Sequence, residues 1–223
     1  MRGIITQRQV LDQFGCDCDV LESTYIKYFS SIGIEPLVIS NFQKAELFDA
    51  DLIILTGGGS VKSEYFEIPH CDYVQQERDL LEKELFELAI KNNIPILAIC
   101  RGFQYVNALL GGKISRLSNL NQDRPVKKDH EVQLKNGIIK VNNFHNDGIF
   151  EDKLAKKIFI VAKDSSNGTV EAFYSKELRI LGLQWHPERE FNDDNSRQVS
   201  TSLVSNFIQN KGELDEGNYF SCG

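Results

Sequence analysis

Residues 94–104 read Ile94-Pro95-Ile96-Leu97-Ala98-Ile99-Cys100-Arg101-Gly102-Phe103-Gln104, and this stretch decides the fold. The run from Ile94 to Ile99 is apolar without alternation, the pattern of a strand buried on both faces. Phe103 to Leu110 then takes helical spacing, and Gly111-Gly112 stops it. A strand that runs straight into a helix needs a sharp turn, and Cys100 occupies it. The geometry is that of a nucleophile elbow, whose turn residue is strained and projects its side chain above the sheet. Gly102 fits a place where helix and strand backbones approach closely. A thiol at a helix N-terminus is acidified by the dipole and the free amides, and Arg101 adds positive charge beside it. The bland alternative for the same residues is a buried cysteine at a strand end.

Outward from this segment, strand and helix patterns alternate. Gly3–Thr6, Pro36–Ser40 and Leu52–Leu55 read as strands, and Leu21–Ile32 and Asp79–Lys91 as helices. Gly33 closes the first helix as a left-handed cap. Beyond Gly112 the character changes. His130–Leu134 and Gly137–Val141 form a hairpin about Lys135-Asn136-Gly137. Phe159–Ala162, Val170–Tyr174 and Ile180–Gln184 are further strands, and Ser202–Ile208 is a closing helix. The fold class is α/β: a doubly wound, flavodoxin-like, mostly parallel sheet flanked by helices, with an added antiparallel hairpin region. Residues 1–211 make one domain, and the polar stretch 212–223 reads as a disordered tail.

The chain of 223 residues carries 32 acidic and 25 basic side chains, a net charge of −7, which disfavours a nucleic-acid polymer as partner. No apolar run approaches a membrane span or a signal peptide, so the expectation is a cytoplasmic protein that acts on a small molecule, alone or as a homodimer. Five cysteines at irregular spacing (Cys16, Cys18, Cys71, Cys100 and Cys222) are not a disulfide framework. Four of them read as incidental. Adjacent His70 and Cys71 make a poor metal pair.

A thiolate nucleophile needs a group that holds and returns a proton. His186 follows the apolar run Ile180–Trp185 and opens His186-Pro187-Glu188. At a strand end residues two apart share a side, so Glu188 can orient the imidazole. Alone, this is equally a loop histidine with a salt-bridging glutamate. Thr56-Gly57-Gly58-Gly59-Ser60 follows a buried strand without the lysine of a phosphate loop. Its amides, with that of Arg101, suit an oxyanion hole, though a plain turn has the same composition. His145, within Asn142-Asn143-Phe144-His145-Asn146-Asp147, suits polar groups of a substrate or a polar loop, and His130 reads as structural.

The segment Cys100-Arg101-Gly102-Phe103-Gln104 with Asn107 and Gly111-Gly112, and the segment Gln184-Trp185-His186-Pro187-Glu188, resemble class I glutamine amidotransferase-like proteins. Arg78-Asp79 and Glu82 ahead of them, and the run Tyr25–Ile39, resemble the γ-glutamyl-γ-aminobutyrate hydrolase branch, peptidase family C26. The resemblance implies Cys100, His186 and Glu188 as catalytic residues, Gly58, Gly59 and Arg101 as oxyanion hole, and Gln104, Asn143 and His145 as substrate-binding residues. It implies no metal and no organic cofactor. The implied reaction is hydrolysis of a γ-glutamyl amide through a γ-glutamyl thioester, releasing glutamate. Two features depart from the pattern: Ser60 stands where an acid is usual, and Asn143–Asp147 replaces Ser-x-His-His-Gln. One specialised activity within this resemblance releases glutamate from a nucleotide phosphoramidate for capsule decoration. Such a substrate demands local cations, and Arg8, Arg101 and the stretch from Arg124 to Lys128 are the suppliers the sequence offers. A glutaminase subunit feeding ammonia to a separate synthase is the alternative, and an idle binding module the third.

Overall fold

The computed structural model describes residues 1–69, 74–120 and 128–219. In chain order its strands are β1 (Arg2–Ile5), β2 (Arg8–Leu11), β3 (Asp17–Val20), β4 (Glu35–Val38), β5 (Leu52–Leu55), β6 (Ile96–Ile99), β7 (Ser115–Arg116), β8 (His130–Leu134), β9 (Gly137–Val141), β10 (Asp147–Gly148), β11 (Phe159–Asp164), β12 (Val170–Ser175) and β13 (Ile180–Leu183). The α-helices are α1 (Ser23–Ser31), α2 (Gln76–Asn92), α3 (Arg101–Leu109), α4 (Asp194–Gln209) and α5 (Glu216–Tyr219). Nine strands form one sheet in the order β4-β1-β5-β6-β13-β12-β11-β8-β9. The block from β4 to β13 is parallel, and the rest is antiparallel.

The continuous apolar strands are buried on both faces because each face has its own core. Ile5, Ile54, Leu97, Ile99 and Leu181 point to the side covered by α1 and α4, where Tyr25, Phe29, Leu203 and Phe207 pack. Ile4, Ile53, Leu55, Ile96 and Ala98 point to the side covered by α2 and α3, where Leu81, Leu85, Phe103 and Val106 pack. The helix ends follow their cap residues. Gly33 is left-handed (φ 83), and the Ile34 amide reaches back to Phe29 O at 2.9 Å. Asn93 does the same for α2 (φ 61), with Ile94 N to Ala89 O at 2.9 Å.

The structure adds three things to the sequence reading. The β2–β3 hairpin sits between β1 and α1, where polar and charged residues hide its pairing. Helix α4 starts at Asp194, ahead of Ser202, because Asp193 caps it by accepting from the Ser196 amide at 2.8 Å. The segment expected as a disordered tail is docked as far as Tyr219: Leu214 is buried, its amide donates to Tyr174 Oη at 3.3 Å, and Asn206 Nδ2 donates to Tyr219 Oη at 2.7 Å. Among the described residues no helix is long and apolar enough to cross a membrane.

Candidate active site

Cys100 joins β6 to α3 with φ 53 and ψ −102, a conformation that L-residues rarely adopt. Its amide is tied to Leu183 O of the neighbouring strand at 2.7 Å, and its carbonyl accepts from Gln104 N at 3.1 Å. The helix turns off so tightly that a Cβ on Gly102 would lie 2.4 Å from Leu55 O. The thiol is thus held at the N-terminus of α3, at the end of the central parallel strands.

His186 reaches the same point from β13. A Cβ on Gly57 would fall 2.5 Å from His186 Cε1 and 3.2 Å from Cys100 Cβ, so the ring and the thiol share one corner of the cleft. His186 Nδ1 lies 2.6 Å from Glu188 Oε1. Burial opposes charge on this ring, but the Glu188 carboxylate and Cys100 outweigh it, and the His186 pKa is pushed up to about 10. Asn142 fixes the histidine backbone from both sides: its Nδ2 donates to His186 O and its Oδ1 accepts from His186 N, each at 2.9 Å. Tyr25 Oη lies 3.4 Å from His186 Nδ1 and accepts from Gly57 N at 2.9 Å, which links the ring to the glycine loop. Phe144 packs edge-on against His186, with the Arg189 guanidinium 3.9 Å above the Phe144 ring. Asn142 and Tyr25 carry no sequence signal of this role. One reads as a loop amide and the other as part of an apolar helix stripe.

The glycine loop is held by Arg78. Its Nη2 donates to Thr56 O at 2.6 Å, and its Nη1 donates to Gly57 O at 3.2 Å and Gly58 O at 2.8 Å. Its Nε donates to Glu82 Oε1 at 2.8 Å, which also accepts from Thr6 Oγ1 at 2.6 Å. Gly58 and Gly59 are both left-handed (φ 91 and 79), a loop shape that glycine alone adopts readily.

Arg101 corrects one expectation. Its backbone starts α3 next to Cys100, but its guanidinium is buried and paired with Asp79 and Glu82. The first turn of α3 aims this side chain at α2, so it is no cation for a substrate. Its amide remains one of the helix-start donors that have no intrahelical partner.

A cleft of about 520 Å³ is lined by Gly58, Gly59, Ser60, Cys100, Arg101 and Gln104 on one side and by Arg116, Ser118 and 144–147 on the other. Gln104 is nearly buried, and its Nε2 donates to Asp147 O at 3.2 Å and Gln184 Oε1 at 3.1 Å. Its carbonyl oxygen is therefore what it offers a ligand. His145 lines the cleft, whereas Asn143 lies behind that wall, its Oδ1 facing the His145 amide at 3.5 Å. Arg8 lies across Gly58, its Cδ 3.0 Å from where a Cβ would be. Cys16, Cys18 and Cys100 are free thiols. His70, Cys71, Cys222 and the basic stretch 124–127 lie outside the described residues.

The model of the peptidase C26 family matches residues 3–188. Protein NtpR of Enterococcus hirae is 31% identical over 198 residues, 78% of this chain and 80% of that protein. The γ-glutamyl-CDP-amidate hydrolase of Campylobacter jejuni is 35% identical over 149 residues, 66% of this chain and 66% of that protein. A glutamine amidotransferase from Thermotoga maritima superposes with a TM-score of 0.64 over 96% of this chain and 98% of that one, at 17% identity, a likeness of fold.

Proposed function

The chain belongs to the peptidase C26 family, and on that premise we propose that it hydrolyses γ-glutamyl amide bonds, with Cys100 as nucleophile, His186 as acid and base, and Glu188 as orienting carboxylate. The observation that carries this reading is the His186–Glu188 pair at 2.6 Å, set beside a cysteine in the elbow conformation.

The Cys100 thiolate attacks the γ-carbonyl carbon, and the carbonyl π electrons move to oxygen. The amides of Gly58 and Arg101, with Gly59 beside them, stabilise that oxyanion. The intermediate collapses and the C–N bond breaks. Protonated His186 gives its proton to the departing nitrogen, which leaves a γ-glutamyl thioester on Cys100. Neutral His186 then takes a proton from water, whose oxygen attacks the thioester carbon. Collapse releases glutamate and restores the thiolate–imidazolium pair. Gln104 presents its oxygen as an acceptor for the α-ammonium of the glutamyl group, and Asn143 holds the His145 segment that forms the facing wall.

The cleft volume suits a ligand of drug-like size, which leaves room for a leaving group larger than ammonia. This favours a stand-alone hydrolase over an ammonia-feeding glutaminase subunit. The finer reading is a γ-glutamyl nucleotide phosphoramidate, the kind of substrate named for the Campylobacter jejuni relative. Two cations support this finer reading: Arg116, which lines the cleft with its Nε donating to Asp147 Oδ1 at 3.2 Å, and Arg8, whose stem lies across Gly58. The test is release of free glutamate from a panel comprising glutamine, γ-glutamyl amines and a γ-glutamyl nucleotide phosphoramidate, with mass spectrometry of Cys100 for a trapped γ-glutamyl adduct. The reading predicts release that the Cys100→Ala variant lacks, and it fails if no member of the panel yields glutamate above that variant.

A further inference from the structure

The antiparallel half of the sheet holds a second cluster that the thiol chemistry does not use. His130 on β8, Glu171 on β12 and His145 in the loop before β10 converge, with one nitrogen or oxygen of each within 4.8 Å of the other two. Their side chains are at most 5% exposed. Glu171 Oε2 lies 3.3 Å from His130 Nε2 and 3.9 Å from His145 Nε2, and none of these three atoms has a hydrogen-bond partner. Buried polar atoms without partners are rare and costly.

The tautomer of His145 sharpens the point. Its Nδ1 sits 2.9 Å from Asp147 O, and a carbonyl only accepts, so Nδ1 carries the hydrogen. With the hydrogen on Nδ1, His145 Nε2 is left facing the Glu171 carboxylate oxygen at 3.9 Å without a hydrogen-bond partner, and a cation seated among the three buried atoms satisfies them together. Metal-bound histidines give the far ring N–H to a backbone carbonyl in the same way. Asp164 adds a second buried carboxylate, its Oδ2 3.5 Å from His130 Nε2, while its Oδ1 accepts from Ser166 and Asn167. One divalent ion balances both charges.

We propose that His130, His145 and Glu171 hold one divalent transition-metal ion, zinc being the best match to two imidazoles and a carboxylate. Three protein ligands leave a fourth position for water. Ligand atoms in a tetrahedral site stand roughly 3.3 Å apart, so the His145–Glu171 contact closes by about half an ångström on binding. The ion braces the wall of the cleft, because His145 is both a ligand and a lining residue. Its loss acts on substrate affinity more than on the chemical step.

Among the described residues two thiol-bearing spots compete for zinc: Cys100 beside His186, and Cys16 near Cys18. The binding test therefore uses untagged full-length protein carrying Cys16→Ser, Cys18→Ser and Cys100→Ala, stripped with a chelator and titrated with Zn²⁺ and Co²⁺ against a chromophoric competitor. The expected result is one ion per chain and a Co²⁺ spectrum of nitrogen and oxygen ligands without a thiolate band. Glu171→Gln and His130→Asn each weaken binding at least about tenfold, the scale of losing a metal ligand or the group that orients one. No stoichiometric ion in the triple variant overturns the proposal. So does undiminished affinity in both ligand variants, or a doubly protonated His145 imidazole persisting by nitrogen NMR with Zn²⁺ present. Should the ligand variants fail to fold, the stoichiometry and Co²⁺ spectrum of the triple variant still decide.

Discussion

At the scale of single residues, the sign of the His186 shift sets the pH behaviour. Its protonated form persists up to about pH 10, so its pairing with Glu188 stabilises the fold fully below the ordinary histidine pKa and is lost as pH rises through about 10. Glu188→Gln removes the main attraction and leaves burial to dominate. The alkaline limb of kcat/KM then moves to lower pH by at least about one unit, equivalent to ~1.4 kcal/mol, as a pH–rate profile will read. Cys100 offers a second check. Its positive φ costs about 1–3 kcal/mol in a residue with a Cβ, a strain that Cys100→Ala retains and Cys100→Gly relieves. Both variants are expected to be inactive, with the glycine variant melting higher in calorimetry. Cys100, His186 and Glu188 were legible in the sequence because strand ends and spacing by two place them. Asn142 and Tyr25 were not, since they act through a backbone and a loop that only the fold brings near.

At the scale of elements, α2 carries more of the site than its apolar stripe suggests. Arg78 and Glu82, one turn apart on α2, grip the Thr56–Gly58 loop and the Arg101 side chain of α3. Arg78→Lys keeps one charge but loses the planar fork that meets three carbonyls at once. We expect kcat to fall by about two orders of magnitude with a much smaller change in KM, because a loosened loop misplaces an oxyanion donor. A loss of roughly 3 kcal/mol in unfolding free energy, measured in denaturant, accompanies it as a buried network is left incompletely paired. Sequence reading found these charges by resemblance but misplaced the Arg101 guanidinium. Periodicity tells which face of a helix is apolar, not which buried charge meets which.

At the scale of the whole molecule, the parallel half was readable from apolar runs that need cover on both faces. The antiparallel half was readable from its hairpin turn. The β2–β3 hairpin and the docked end of the chain escaped notice because their residues are polar and aperiodic, held by cross-chain hydrogen bonds rather than by a stripe. Truncation after Gly212 tests that docking. It removes Leu214 from the core and Tyr219 from Asn206, and should cost about 2 kcal/mol, seen as a lower Tm with catalysis retained.

Strand β13 lies between β6 and β12, so the last strand among the described residues is the one that closes the middle of the sheet. During synthesis β1, β5 and β6 emerge long before it, and the edge of β6 stays open until residues 180–183 leave the ribosome. An open apolar strand edge is a template for pairing with another chain, so this fold carries its aggregation hazard at its centre. The same order of assembly sets when the proposed site forms: the strand that covers β6 also delivers His186, so the Cys100–His186 pair and completion of the sheet arrive together.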